Sequence, residues 1–202
     1  MKQIILAGVG GQGILLASNI IARAAIDAGF EARTAETIGM AQRGGSVVTH
    51  LRIADEGESL YSPMVEAHGA DIILGFEPGE ALRSIGLLAE GGCIVAANIG
   101  MSPTMSSPKE VVYDAREILE ELREMGETGR ISGFLEVNAR DICEELGTTR
   151  ALNTVMLGAA ASSGVLGFSE EQIEEAMRES VKPKFVELNT RAIRLGAGMI
   201  ES

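Results

Sequence analysis

The residues best placed to do chemistry come early. Gly8-Val9-Gly10-Gly11-Gln12-Gly13 follows the apolar run Gln3-Ile4-Ile5-Leu6-Ala7 and opens onto a helical pattern that starts at Ile14. Gly8, Gly10 and Gly13 match the G-x-G-x-x-G spacing in the strand-to-helix context that gives it a mechanism. The first glycine permits a tight turn, the second lets backbone approach a ligand, and the third allows close helix–strand packing. Amides at the helix start then favour an anion. Glu36 stands where such folds keep a carboxylate for a ribose hydroxyl. Three readings stay open: a site for NAD or FAD, a tight crossover and no more, or a turn adapted to another ligand or to a partner subunit. A phosphate-binding P-loop is excluded, because Gly13 is followed by Ile14-Leu15-Leu16 and not by a lysine and a hydroxyl residue.

A second loop, Gly39-Met40-Ala41-Gln42-Arg43-Gly44-Gly45-Ser46, carries a permanent cation between glycines. The planar donors of Arg43 suit a carboxylate or a phosphate. From spacing alone, a surface turn with a solvated arginine explains the segment as well. The remaining reactive types read as structural. His50 falls in an extended segment and His68 beside Gly69 in a turn, and no His/Cys/Asp spacing resembles a metal site. Cys93 and Cys143 read as inert buried thiols, and two cysteines cannot supply the four thiolates of an iron–sulfur cluster.

The elements that must position these loops alternate in type. Short apolar runs at residues 3–7, Ala70–Phe76 and Cys93–Ala97 read as buried strands, joined by 30–37, Ser46–Ile53 and a strand near 134–137. Helical patterns run from Ile14 to about Ala28, from Pro78 to about Leu88, and over roughly 114–126 and 139–146. Further ones cover Arg150–Ser163 and a last helix from Pro183, while Ser169-Glu170-Glu171-Gln172 has the form of a capping box. Gly91-Gly92 reads as the break between a helix and a strand. The expected fold is α/β: a three-layer, Rossmann-like, mostly parallel sheet with helices on both faces. Ser46–Ile53 is a candidate antiparallel hairpin strand. Glu117, Glu120, Glu121, Glu124 and Glu127 form a solvated acidic face, and the small residues Ala159–Ser163 suit close helix packing or an oligomer contact.

Composition narrows the function further. The 202 residues suit a single domain, 1–202, and the formal charge of −12 argues against nucleic acid and anionic membranes. Neither a signal peptide nor an apolar span of ~18 residues is present, so the expected location is cytoplasmic.

Taken together, Gly8–Ala17, Gly39–Val48 and Tyr61-Ser62-Pro63 resemble one family. So do Glu77-Pro78 with Glu80-Ala81-Leu82, Asn153–Gly158 and Lys182–Asn189. It is the gamma-type subunits of the 2-oxoacid:ferredoxin oxidoreductases, with the small subunits of the indolepyruvate branch as the nearest likeness. The resemblance implies a Rossmann-like gamma-type domain within a complex that converts a 2-oxoacid and coenzyme A to acyl-CoA, carbon dioxide and reduced ferredoxin. Thiamine diphosphate, magnesium and iron–sulfur clusters would reside in partner subunits, because the chain has no Gly-Asp-Gly…Asn motif and no cysteine set. No catalytic residue is expected in the chain itself. The expected substrate, coenzyme A or interface contacts are Gly8, Gly10, Gly11, Gln12, Gly13, Met40, Gln42, Arg43, Gly44 and Gly45. Rival readings are a stand-alone NAD-dependent dehydrogenase and a non-catalytic interaction module, and a homodimer of the isolated chain is left open.

Overall fold

A computed structural model describes residues 1–39, 45–55, 57–100 and 114–199. Its elements follow the chain as β1 (Lys2–Val9), α1 (Ile14–Asp27), β2 (Ala32–Ile38), β3 (Ser46–Ile53), β4 (Ala70–Gly75) and α2 (Pro78–Arg83). Then come β5 (Leu88–Ala97), α3 (Ala115–Glu127), β6 (Gly133–Val137), α4 (Ala139–Glu145), α5 (Leu152–Ser162), α6 (Glu170–Ser180) and α7 (Val186–Gly198). One six-stranded sheet holds them in the order β2-β3-β1-β4-β5-β6. β3 is antiparallel to both β1 and β2, while β1, β4, β5 and β6 pair in parallel. All strands but β3 therefore run the same way, as the mostly parallel sheet requires.

The apolar runs read as buried strands because both faces of the sheet are covered. Ile4, Leu6, Ile72, Leu74, Val95 and Ala97 join the core under α1, α4, α5, α6 and α7. Their neighbours Ile5, Ala7, Ile73, Ile94 and Ala96 point the other way, into the core under α2 and α3. The period of two along each strand thus assigns side chains to two hydrophobic layers.

Two local expectations change. The helix after Pro78 ends at Arg83 and a 3-10 turn covers Ile85–Leu87, so β5 begins at Leu88 and passes through Gly91-Gly92. These glycines form an irregularity inside the strand, because the pairing with β4 shifts between Ala70↔Leu88 and Ile72↔Cys93. Gly91 has φ 83°, and a Cβ on Gly92 would stand 2.9 Å from the Ala70 carbonyl oxygen. The capping box stands as read: Ser169 Oγ accepts from the Gln172 amide and Gln172 Oε1 from the Ser169 amide.

The small residues of α5 serve core packing. Leu152–Ala161 are all buried, and α5 meets α7 backbone to backbone. A Cβ at Gly158 would lie 1.9 Å from the Ile193 carbonyl oxygen, and one at Gly196 2.1 Å from that of Val155. Thr154 Oγ1 donates to Asn189 Oδ1 at 2.9 Å across the same contact. On the other face, α3 buries Leu119, Leu122 and Met125 and leaves its glutamates exposed. Among the described residues, no helix is long and apolar enough to cross a membrane.

Candidate functional site

Between β1 and β4 the chain leaves the sheet toward opposite faces, to α1 and to α2, and this divergence lies at the carboxyl ends of the strands. Open α/β sheets bind ligands in that crevice. Here a side chain fills it. Gln12, 8% exposed, accepts from the Val9 amide through Oε1 at 2.7 Å and donates from Nε2 to the Phe76 carbonyl at 3.0 Å, joining the two strand ends. A Cβ on Gly8 would meet Gln12 Oε1 at 2.6 Å and Phe76 Cβ at 2.9 Å. The first glycine therefore makes room for Gln12.

The rest of the glycine loop divides its donors. The Gly10 amide donates to the Gly45 carbonyl at 3.0 Å and the Gln12 amide to Val9 at 3.2 Å. No described residue accepts from the amides of Gly11 or Gly13. Gly13, at φ 77°, starts α1 with no side-chain cap and no acidic residue in the first turn, so that end keeps its orphan donors. The third glycine is needed for packing, because a Cβ there would come within 2.8 Å of Asn153 Nδ2. Asn153, from the apolar helix α5, is 2% exposed, and its Oδ1 has no hydrogen-bond partner among the described residues.

The second loop is tied to the first at its neck. Gly45 receives the Gly10 bond, and the Gly39 amide donates to the Ser46 carbonyl at 2.8 Å. Ser46 Oγ donates to Glu80 Oε2 at 2.6 Å, while Arg83 donates to Glu80 Oε1 at 2.7 Å. Glu80 is 5% exposed, and its amide donates to Glu77 Oε2 at 2.9 Å, the N-cap of α2. Ser46, Glu80 and Arg83 thus fasten the loop to α2, a role that sequence reading missed. Glu77-Pro78 ahead of Glu80 was its available signal, as an N-cap with proline at the first helical position. The structure brings Gly8, Gly10, Gly11, Gln12, Gly13 and Gly45 together; Met40, Gln42, Arg43 and Gly44 lie outside the described residues.

The expected ribose carboxylate is not in place. Glu36 sits on β2, and β3 separates β2 from β1. In a dinucleotide fold the acidic residue follows a strand adjacent to the first, so the inserted strand removes Glu36 from the crevice that Gln12 already occupies. The geometry departs from the NAD reading on both counts.

The other reactive side chains stand on β3, β5 and α4. His50 Nδ1 accepts from the Val65 amide at 3.2 Å, and burial holds the imidazole pKa below its ordinary value. Burial raises the pKa of both the Cys93 and the Cys143 thiol. Among the described residues, no three His, Cys, Asp or Glu side chains gather where a metal could bind. Two thiols on separate elements, β5 and α4, do not make up the four thiolates of an iron–sulfur cluster. The arrangement presents backbone donors at Gly11 and Gly13 beside the tied neck of the second loop.

The family model for pyruvate ferredoxin/flavodoxin oxidoreductase matches residues 3–199. The indolepyruvate oxidoreductase subunit IorB of Archaeoglobus fulgidus is 40% identical to the chain, over 96% of this chain and 92% of the relative. The subunit of the same name from Thermococcus kodakarensis is 39% identical over 96% and 93%. A keto/oxoacid ferredoxin oxidoreductase gamma subunit from Geobacter sulfurreducens has a solved structure with the same fold. The two align with a TM-score of 0.68 at 25% identity, covering 98% of this chain and 97% of the other.

Proposed function

The chain belongs to the pyruvate ferredoxin/flavodoxin oxidoreductase family, and from that premise we propose that it is the small, gamma-type subunit of a complex acting on an aryl 2-oxoacid of the indolepyruvate kind. Its likeness to the indolepyruvate subunits across nearly the whole of both chains carries this reading. The complex would form acyl-CoA and carbon dioxide and pass electrons to ferredoxin in the cytoplasm. Residues 1–202 would form a single domain, with thiamine diphosphate, magnesium and the clusters held by partner subunits.

The part of this chain is to hold and orient. Loop 39–46, fastened through Gly45 and Ser46, would present Arg43 and Gln42 to a substrate carboxylate or a coenzyme A phosphate. Guanidinium and carboxylate or phosphate match as paired donors and acceptors. The unshared amides at Gly11 and Gly13 lie beside the same neck and would face the same ligand or a partner's backbone.

Anaerobic affinity capture of the chain from its native cytoplasm, with thiamine and metal analysis, tests the reading. Recovery of a larger subunit carrying thiamine diphosphate and iron is expected, with turnover of indolepyruvate exceeding that of pyruvate and 2-oxoglutarate. Capture of the chain alone, or with bound NAD, overturns it. In the reconstituted complex Arg43→Ala should raise the apparent KM for one substrate severalfold; unchanged kinetics would remove Arg43 from the site.

A further inference from the structure

A groove of about 480 Å3 opens where the first turn of α1, the turn ahead of α5 and the start of α7 meet. Leu16, Val181, Phe185 and Leu188 make its apolar wall, and Arg150 and Lys182 are its charged lining residues. No carboxylate lines it among the described residues, in a chain whose net charge is −12. Neighbouring cations are neutralised: Arg178 and Arg194 share Glu174, and Arg191 pairs with Glu145. Arg150 and Lys182 have no such partner among the described residues. Lys184 adds a third positive charge, its Nζ 4.9 Å from the centre of the Phe185 ring. That ring is 41% exposed.

From this juxtaposition we infer that the groove is a binding site for a small organic anion with an apolar body. Arg150 and Lys182 engage its carboxylate, and Leu16, Val181, Phe185 and Leu188 enclose its apolar part. The volume suits a small molecule: sites for such ligands span roughly 300–1,000 Å3 and pair mostly apolar linings with a few fixed polar groups. Charge decides for an anion, because unpaired Arg and Lys beside an apolar wall attract a carboxylate while the wall desolvates it. The site is held firmly. Thr148 caps the turn ahead of α5 by accepting from the Arg150 amide at 3.2 Å. Asn189 ties the start of α7 to itself and to α5, donating to the Phe185 carbonyl at 2.8 Å and accepting from Thr154.

The inference does not require the complex proposed above, and it can be read on the chain itself. The chain contains no tryptophan, so an indole probe fluoresces over a background of tyrosine alone. Indole-3-acetate should show saturable anisotropy on titration with the folded chain, and neutral indole-3-ethanol should bind at least tenfold more weakly. The double variant Arg150→Met, Lys182→Met, at two exposed positions, should weaken indole-3-acetate at least tenfold with an unchanged melting temperature. Equal binding of the two probes, equal binding by the variant, or no saturable binding overturns the inference. So does a captured complex in which Lys182 is shielded from amine labelling and the probe no longer binds, since the groove would then be a subunit contact.

Discussion

The glycines at the start of α1 and those where α5 crosses α7 are the same residue put to different use. At the crossing, Gly158 and Gly196 let two backbones touch, with carbonyl oxygens 1.9 and 2.1 Å from where a Cβ would stand. Nothing at those points can rotate away. In the β1–α1 loop the nearest atoms to Gly8 and Gly13 include side-chain atoms of Gln12 and Asn153, and Gly11 faces open space. The crossing is a packing device. The loop mixes packing at Gly8 and Gly13 with open space at Gly11.

Substitutions can break that contrast. Gly158→Ala should have the largest effect, because backbone must move to admit the methyl group. A loss of about 3 kcal/mol or more is expected, seen as a fall of roughly 6–12 °C in Tm at this chain size. A near-native Tm would show that the helices can slide apart. Gln12→Ala should come next, at about 2–3 kcal/mol, since it strands the Val9 amide and the Phe76 carbonyl between two strands. Urea unfolding would measure it, and a neutral result would mean that water replaces the side chain. Gly11→Ala should cost about 1 kcal/mol, for its φ of 106° alone. If the loop serves only as a crossover, that variant leaves the KM of the complex untouched; a severalfold rise would separate a ligand role from a packing one.

The smallest effect concerns pH. Burial lowers the His50 pKa in the folded chain, so the unfolded state binds more protons in the window below its ordinary value of about 6.5. The stability His50 contributes is complete above that value and falls as pH drops toward the folded pKa. His50→Gln should flatten the slope of stability between about pH 6.5 and the folded value, as read from melts at several pH values.

Much of this fold could be read in the sequence because its signals are local. Continuous apolar runs marked β1 and β4, and Ser169 with Gln172 marked the start of α6. What escaped depended on distant partners. Gly91-Gly92 looked like a break, since only pairing with β4 shows the strand continuing past them. The distance of Glu36 from the glycine loop followed from β3 lying between β1 and β2, a choice of register that spacing does not contain. At the site, the glycine motif located the loop, but it could not show that Gln12 turns inward to close the crevice. Ser46 and Glu80, 34 residues apart, had no shared local pattern. Asn153 did leave a trace, as an amide beside Thr154 near the start of a mostly apolar helix.

The reversed strand also constrains how the chain is made. β1 lies between β3 and β4, both of which follow it in the sequence. On a ribosome adding ~5–20 residues each second, the run from Ile4 to Ala7 waits several seconds for residues 70–75. Until residues 46–53 emerge its apolar side chains have no sheet to enter. The β2–β3 hairpin, by contrast, can close as soon as it emerges, and it offers β1 its first docking edge. Slowing translation after Ile53 should therefore prolong the exposure of the nascent chain to chaperones, whereas slowing it after Gly75 should not.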